Sequence, residues 1–265
     1  MNNNENLSKA DASGKSPDKS RSHKKDGFSE DMIQECLRVL ESGEIEELFE
    51  IIPHIGVLRD RRFHAPLLAL LNHTDVKRRE FAAYAMGAMA DRDFLEPLKT
   101  AFLHTRRIND FGARELQIAV IEAIGAIGDD SEVDFLLSAL KSFREAKAAR
   151  ENAGKGKIND GMIKSIIEAL CYVAQQGGAN ARAALTELIT HSDPEIQAPA
   201  LLELSVVYWH HPNDISDNLL QNIYDLTVSE NALVAESALS ALQNLADAGC
   251  RRAEDFFCVD DAEDQ

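Results

Sequence analysis

Between Ser29 and Gly43 the apolar residues Ile33, Cys36, Leu37 and Leu40 fall three and four apart, which puts them on one face of a helix. Ser29 reads as its N-cap, with Glu30 and Asp31 in the first turn, where carboxylates complement the helix dipole. Gly43 reads as a left-handed stop. The same period returns further on, as in Phe94, Leu98, Ala101 and Phe102, so the pattern predicts a helical chain.

The helices repeat. Gly56, Asp60, Phe63, Pro66 and Leu67 coincide with Gly87, Asp91, Phe94, Pro97 and Leu98 at a constant offset of 31, and Gly125, Asp129, Phe135, Leu136 and Leu140 continue the frame. In each unit a first helix carries small residues where neighbours must approach closely: Ala82 and Ala85, Ala123, Ala169, then Ala238 and Ala241. A large aliphatic residue follows, namely Met86, Ile124, Leu170, Leu204 or Leu242. The next residue, Gly or another small one, is read as breaking the helix, and Asp as capping the second helix. A lone hairpin of this kind cannot bury both its faces, so stacking on neighbours supplies the core. The breaker positions 56, 87, 125, 171, 205 and 243 lie 31, 38, 46, 34 and 38 residues apart. That predicts six helix pairs over about 44–257 behind a capping helix at 29–42.

These residues resemble the HEAT-like repeats of phycobilisome lyase-type proteins, in which a helix ending Ala-Leu-Gly precedes Gly-Asp and a second helix with Pro-Leu. The match rests on Ala85-Met86-Gly87 with Asp91 and Pro97-Leu98, and on Ala123-Ile124-Gly125 with Gly128-Asp129 and Leu136. It covers most of the chain after residue 44. The resemblance implies an all-α fold, a right-handed α-solenoid of about six HEAT-like helix pairs with an N-terminal capping helix. Members of the family often carry Arg near the start of the first helix. Here Arg79 holds that place, and Gln117, Ile163, Gln197 and Ala235 stand there in the other units.

The two long spacings place extra residues at 104–110 and 141–160. The second stretch holds six basic residues against three acidic ones, and its Ala and charged residues favour lengthening the preceding helix until Gly154 and Gly156 end it in a loop. Two readings stay open: a solvated excursion between repeats, or an arm that meets an acidic partner.

Composition narrows the function. Lys plus Arg number 28 against 45 Asp plus Glu, a formal charge of −17. Such a surface repels phosphate backbones, so no nucleic-acid partner is expected. With 14 Gly, 7 Pro and 6% aromatic residues, an all-β sandwich is disfavoured. Residues 1–27, dominated by Asn, Ser, Lys and Asp, predict a disordered polar tail, and 259–265 an acidic C-terminal tail, which leaves 28–258 as the solenoid. No apolar run precedes Phe28, which argues against a signal peptide. Ala65 to Leu71, the longest strongly apolar stretch, is too short to cross a bilayer, so no membrane partner is expected. The scattered Cys36, Cys171, Cys250 and Cys258 read as reduced, mostly buried thiols of a cytoplasmic protein.

Catalytic chemistry is not indicated. None of the eight His is followed by Glu, the dipeptide from which deoxyhypusine hydroxylase, a metal enzyme on this scaffold, builds its iron site. The His210-His211 pair falls in a turn beside Trp209 and reads as an exposed turn with an aromatic anchor. A phosphate loop and a G-x-S-x-G elbow are both missing from the sequence. The expectation is therefore no catalytic residue, no cofactor and no metal. What remains is surface. By frame, outward positions of the second helices, Glu96, Lys99, Thr100, Asp134, Ser138, Thr186, Glu187 and Asn222, are expected to line a concave groove, with Trp209 as a further contact. An acidic to neutral groove suits a basic or amphipathic segment of another protein. The function read from the chain is a non-catalytic protein–protein interaction scaffold or adaptor. The family resemblance alone implies the alternative, a bilin lyase-type subunit acting on a phycobiliprotein.

Overall fold

The computed structural model describes residues 19–105, 111–153 and 161–257, with side chains from Ser29 onward. Every regular element among them is helical. A leading helix α1 (Lys19–Ser42) and a short α2 (Ile45–Glu50) precede six pairs: α3 (Ile52–Leu58) with α4 (His64–Leu71), α5 (Val76–Met89) with α6 (Leu95–Thr105), α7 (Phe111–Ile127) with α8 (Val133–Asn152), α9 (Gly161–Gln175) with α10 (Ala179–Leu188), α11 (Pro194–Val207) with α12 (Asp217–Leu226), and α13 (Ala232–Asp247) with the stub α14 (Arg251–Glu254). The pairs stack in chain order into an α-solenoid, and one hydrophobic cluster runs unbroken from Ile33 to Ala253.

The small-residue positions do what the sequence predicts. Ala82, Ala85, Ala123, Ala169, Ala238 and Ala241 are all buried, as are the large residues Met86, Ile124, Leu170, Leu204 and Leu242 beside them. First helices touch one another in succession, α3–α5–α7–α9–α11–α13, whereas second helices lie on the first ones and barely meet each other. A stack whose layers differ in spacing bends toward the closer-packed one, so the first helices form its inner side.

Three local expectations are corrected. α1 opens at Lys19, so Ser29 lies inside it rather than at its cap, and residues 19–27 are helical instead of belonging to the tail. Residues 1–18 lie outside the described residues, as do 258–265 with Cys258. Gly43 is not left-handed; it is needed for space, since a Cβ there would stand 2.6 Å from the Val39 carbonyl oxygen. The supposed breakers Gly56, Gly87 and Gly125 sit inside α3, α5 and α7. They are the points of closest approach between successive first helices. A Cβ on Gly87 would lie 3.0 Å from Ala123 Cα, and one on Gly125 only 2.6 Å from Ala169 Cα. In later repeats the same ladder turns polar: Cys171 Sγ donates to the Glu203 carbonyl at 3.5 Å, and Asn244 donates to Ser205 Oγ at 3.1 Å. The left-handed stops fall instead on Arg59, Ala90, Gly177 and Gly249.

The Asp caps are as read. Asp60, Asp91 and Asp129 each accept a backbone N–H two residues on, opening a single 3-10 turn before the second helix. Arg79 donates to the Leu71 carbonyl at 3.1 Å, and Gln197 takes the same role toward Ile189 at 2.7 Å. A glutamine thus replaces the arginine in tying the start of a first helix to the end of the preceding pair. A matched pair of His-x-Asp turns does similar work: His73 Nδ1 accepts from Asp75 N–H, and His191 Nδ1 from Asp193 N–H, both at 2.9 Å.

Candidate functional site: the groove of the first helices

A concavity lies on the closer-packed layer. It is a cavity of about 400 Å³ crossing α5, α7 and α9, floored by Gly87, Ala88, Ala123 and Ala126 and walled by Tyr84, Glu122, Glu168 and Tyr172. The floor is low because the close-approach ladder demands small residues; the walls are the next positions around each helix. Tyr172 is half exposed. Tyr84 is partly covered, and burial, together with Glu122, Glu80 and Glu115, pushes its phenol up to about 12, so it stays a neutral hydrogen-bond donor.

Acidic charge runs along this layer. Burial raises the Glu122 carboxyl, and Glu168 across the groove raises it further; Ser165 Oγ, 3.4 Å away, partly offsets this. The Glu203 carboxyl, on α11, is likewise raised first by burial and also by Glu168. Lys164 meets Glu168 at 3.2 Å, and Lys77 meets Glu80 at 2.7 Å. Carboxylates held up by burial and by one another form a place where an incoming cation lowers the energy of every neighbour.

The positions expected to line a groove lie elsewhere. Glu96, Lys99 and Thr100 are on α6, Asp134 and Ser138 on α8, Thr186 and Glu187 on α10, and Asn222 on α12, so they belong to the outer layer and none lines the 400 Å³ cavity. Most are exposed, but Lys99 is already engaged: its Nζ lies 2.6 Å from the buried Glu132 and 3.0 Å from Glu96. Thr186 spends its hydroxyl on the Arg182 carbonyl. Trp209 is exposed in the turn after α11, and the anchor of that turn is its neighbour Tyr208, buried with the Arg182 guanidinium 5.8 Å from its ring centre. The second-helix positions read from the sequence and the concavity of the first helices thus lie on different layers. The signal that could have found it was present, because the alanines and glycines mark which helices approach most closely.

The basic stretch also finds a place. α8 runs on to Asn152, as its Ala and charged residues predict; residues 154–160 lie outside the described residues. Its added turns carry Arg144, which meets Asp193 at 3.4 Å and His191 at 3.0 Å, and the buried Lys147, which pairs with Glu195. The acidic partner of these two residues is the chain's own α11.

No protein-family model matches the chain, and no curated protein does. Solved structures are similar in outline: an archaeal HEAT-like repeats protein from Thermococcus onnurineus NA1, at 19% identity and a TM-score of 0.42 over 81% of this chain and 80% of that one. A designed armadillo repeat protein is similar at 17% identity and a TM-score of 0.40 over 80% and 98% of the two chains. Another, solved in complex with the peptide (KR)4, shows 16% identity and a TM-score of 0.42 over 81% and 98%. The helix pairing described above is what defines the solenoid.

Proposed function

We propose that this protein is a non-catalytic scaffold that holds a basic segment of another protein along the α5–α7–α9 face. The observation that carries the reading is the groove itself, in which Glu122 and Glu168 stand between Tyr84 and Tyr172 over a floor of Gly and Ala. Tyrosines offer large, rigid contact area with a polar tip, and their faces attract ammonium and guanidinium groups. The carboxylates supply charge complementarity and speed the encounter. A floor of small residues lets an extended backbone or a lysine stem lie close to the helices. Among the described residues no helix is long and apolar enough to cross a membrane.

The test is fluorescence anisotropy with a labelled short Lys/Arg-rich peptide, with an acidic peptide of equal length as control. The full chain is expected to bind the basic peptide alone, in a salt-sensitive manner. The double substitution Glu122→Gln with Glu168→Gln is expected to weaken binding by about tenfold or more. Charge reversals at Glu96, Asp134 and Glu187 should leave it unchanged. Absence of binding, or loss only with the second set, would reject the groove as the site.

A further inference from the structure

Where the first pair meets the second, three metal-ligating side chains converge. His64 opens α4; Asp91 caps the turn that leads into α6, and Asp93 lies within it. One ligand atom from each lies within 4.8 Å of the others. His64 Nε2 stands 3.0 Å from Asp91 Oδ2, yet the ring is not turned to make a hydrogen bond, and the nitrogen is sealed from solvent without a partner. The ring is held there by Phe94, with centroids 4.5 Å apart.

We infer that this junction is a binding site for a single Zn²⁺ ion. The geometry suits it. Two ligands on a tetrahedral zinc stand about 3.3 Å apart, given zinc bonds of about 2.0–2.2 Å to imidazole nitrogen and carboxylate oxygen. The His64–Asp91 separation is close to that. Asp91 is pre-oriented, because its Oδ1 already accepts the Asp93 N–H at 3.0 Å and leaves Oδ2 for the ion. The Asp93 side chain is exposed and has no other duty among the described residues, so a rotamer change closes the third bond, and water takes the fourth position.

The matching junctions of the neighbouring repeats show why this one is different. In the first pair the positions of Asp91 and Asp93 are Asp60 and Arg62, and Arg62 binds Asp60 and Glu30 at 2.9 and 2.7 Å. In the third pair Asp129 receives Arg92. Each of those caps meets an arginine. Of these three Asp caps, the second alone has an imidazole and a spare carboxylate beside it in place of an arginine, and a divalent cation supplies the missing positive charge. Bound there, the ion ties α4 to the turn before α6, clamping the first repeat to the second; none of its three ligands lines the groove of Tyr84 and Tyr172.

Isothermal titration of the tag-free full chain with ZnCl₂ tests this. One site is expected whose affinity falls at least tenfold in Asp93→Asn and in His64→Gln, while Asp225→Asn, at an exposed carboxylate on α12, leaves it unchanged. Asp93→Asn removes no side-chain hydrogen bond or ion pair among the described residues, so circular dichroism should show it folded, and its loss of binding reads the ligand role alone. No heat of binding to the wild type, or binding that survives both substitutions because it sits at other histidines, would overturn the inference.

Discussion

Gly125→Ala probes the feature on which the whole stack depends. A Cβ at that position would fall 2.6 Å from Ala169 Cα and 2.7 Å from Ala169 Cβ, where ordinary carbon contacts are about 3.5–4.0 Å. The obstacle is backbone, which cannot rotate aside, so α7 and α9 must part by about 1 Å. Overpacking of this kind costs about 1–3 kcal/mol, and a backbone obstacle at 2.6 Å puts this site in the upper part of that range, about 2–3 kcal/mol, against about 1 kcal/mol returned by alanine's better helix propensity. The net loss is about 1–2 kcal/mol, a fall in thermal midpoint of roughly 2–8 °C for a domain of this size. Three companion substitutions grade the effect. Gly87→Ala meets Ala123 Cα at 3.0 Å, and Gly56→Ala meets Ala88 Cβ and its carbonyl at 3.2 Å near a helix end. Gly161→Ala meets only the Ile118 Cδ1 at an ordinary 3.6 Å. The expected order of stability is Gly161→Ala at or above wild type, then Gly56→Ala, Gly87→Ala and Gly125→Ala. Melting followed by circular dichroism at the helix band reads it. A Gly125→Ala chain as stable as wild type, or a Gly161→Ala chain that falls as far, would refute the claim that these glycines serve close approach.

Other outcomes follow from the charged groups. Glu122 and Glu203 have carboxyls raised by burial, so they take up protons above the usual carboxylate range; affinity for the basic peptide should fall on acidification earlier than for ordinary carboxylates, which a pH series of the anisotropy measurement checks. The same raised values mean that protonating these two groups favours the folded chain, so the variant Glu203→Gln, at the half-buried carboxyl on α11, should lose part of that acid-side gain in a melting series at stepped pH. Asp130 acts in the opposite sense: its carboxylate accepts the Asn180 and Ala181 N–H groups at 2.9 and 3.0 Å, which lowers its pKa, so its contribution is complete above the ordinary Asp value and fades as pH drops through the depressed one. Asp130→Ala should remove an N-terminal cap of α10 supplied from the preceding repeat and cost about 1 kcal/mol by urea denaturation at neutral pH, whereas Asp134→Ala should cost nothing measurable.

The pairing of helices, the buried alanine ladder and the Asp caps were legible because each is a local pattern repeated at matching positions. Gly56, Gly87 and Gly125 were misread for a physical reason: a glycine that ends a helix and one that admits a neighbouring backbone look alike in a sequence, and only the partner helix tells them apart. Their Ala-Met-Gly or Ala-Ile-Gly setting carried the clue, since the apolar period runs straight through to Met89 and Ile127. The concavity of the first helices went unread because which layer packs more tightly is a property of the stack, not of one repeat. The cation-binding triad was invisible for a simpler reason, as His64 lies 27 residues before Asp91 and no spacing rule joins a helix start to the next repeat's turn.

The glycine and alanine rungs also bear on how such a chain changes over generations. They fix the distance from one first helix to the next at backbone contact, so the groove's period is set by atoms that no side-chain exchange can alter. Length, in contrast, enters at the connections between pairs, as where α8 runs on to Asn152. Lineages carrying this protein are therefore free to lengthen or trim those connections while the ruler along the inner surface keeps its markings.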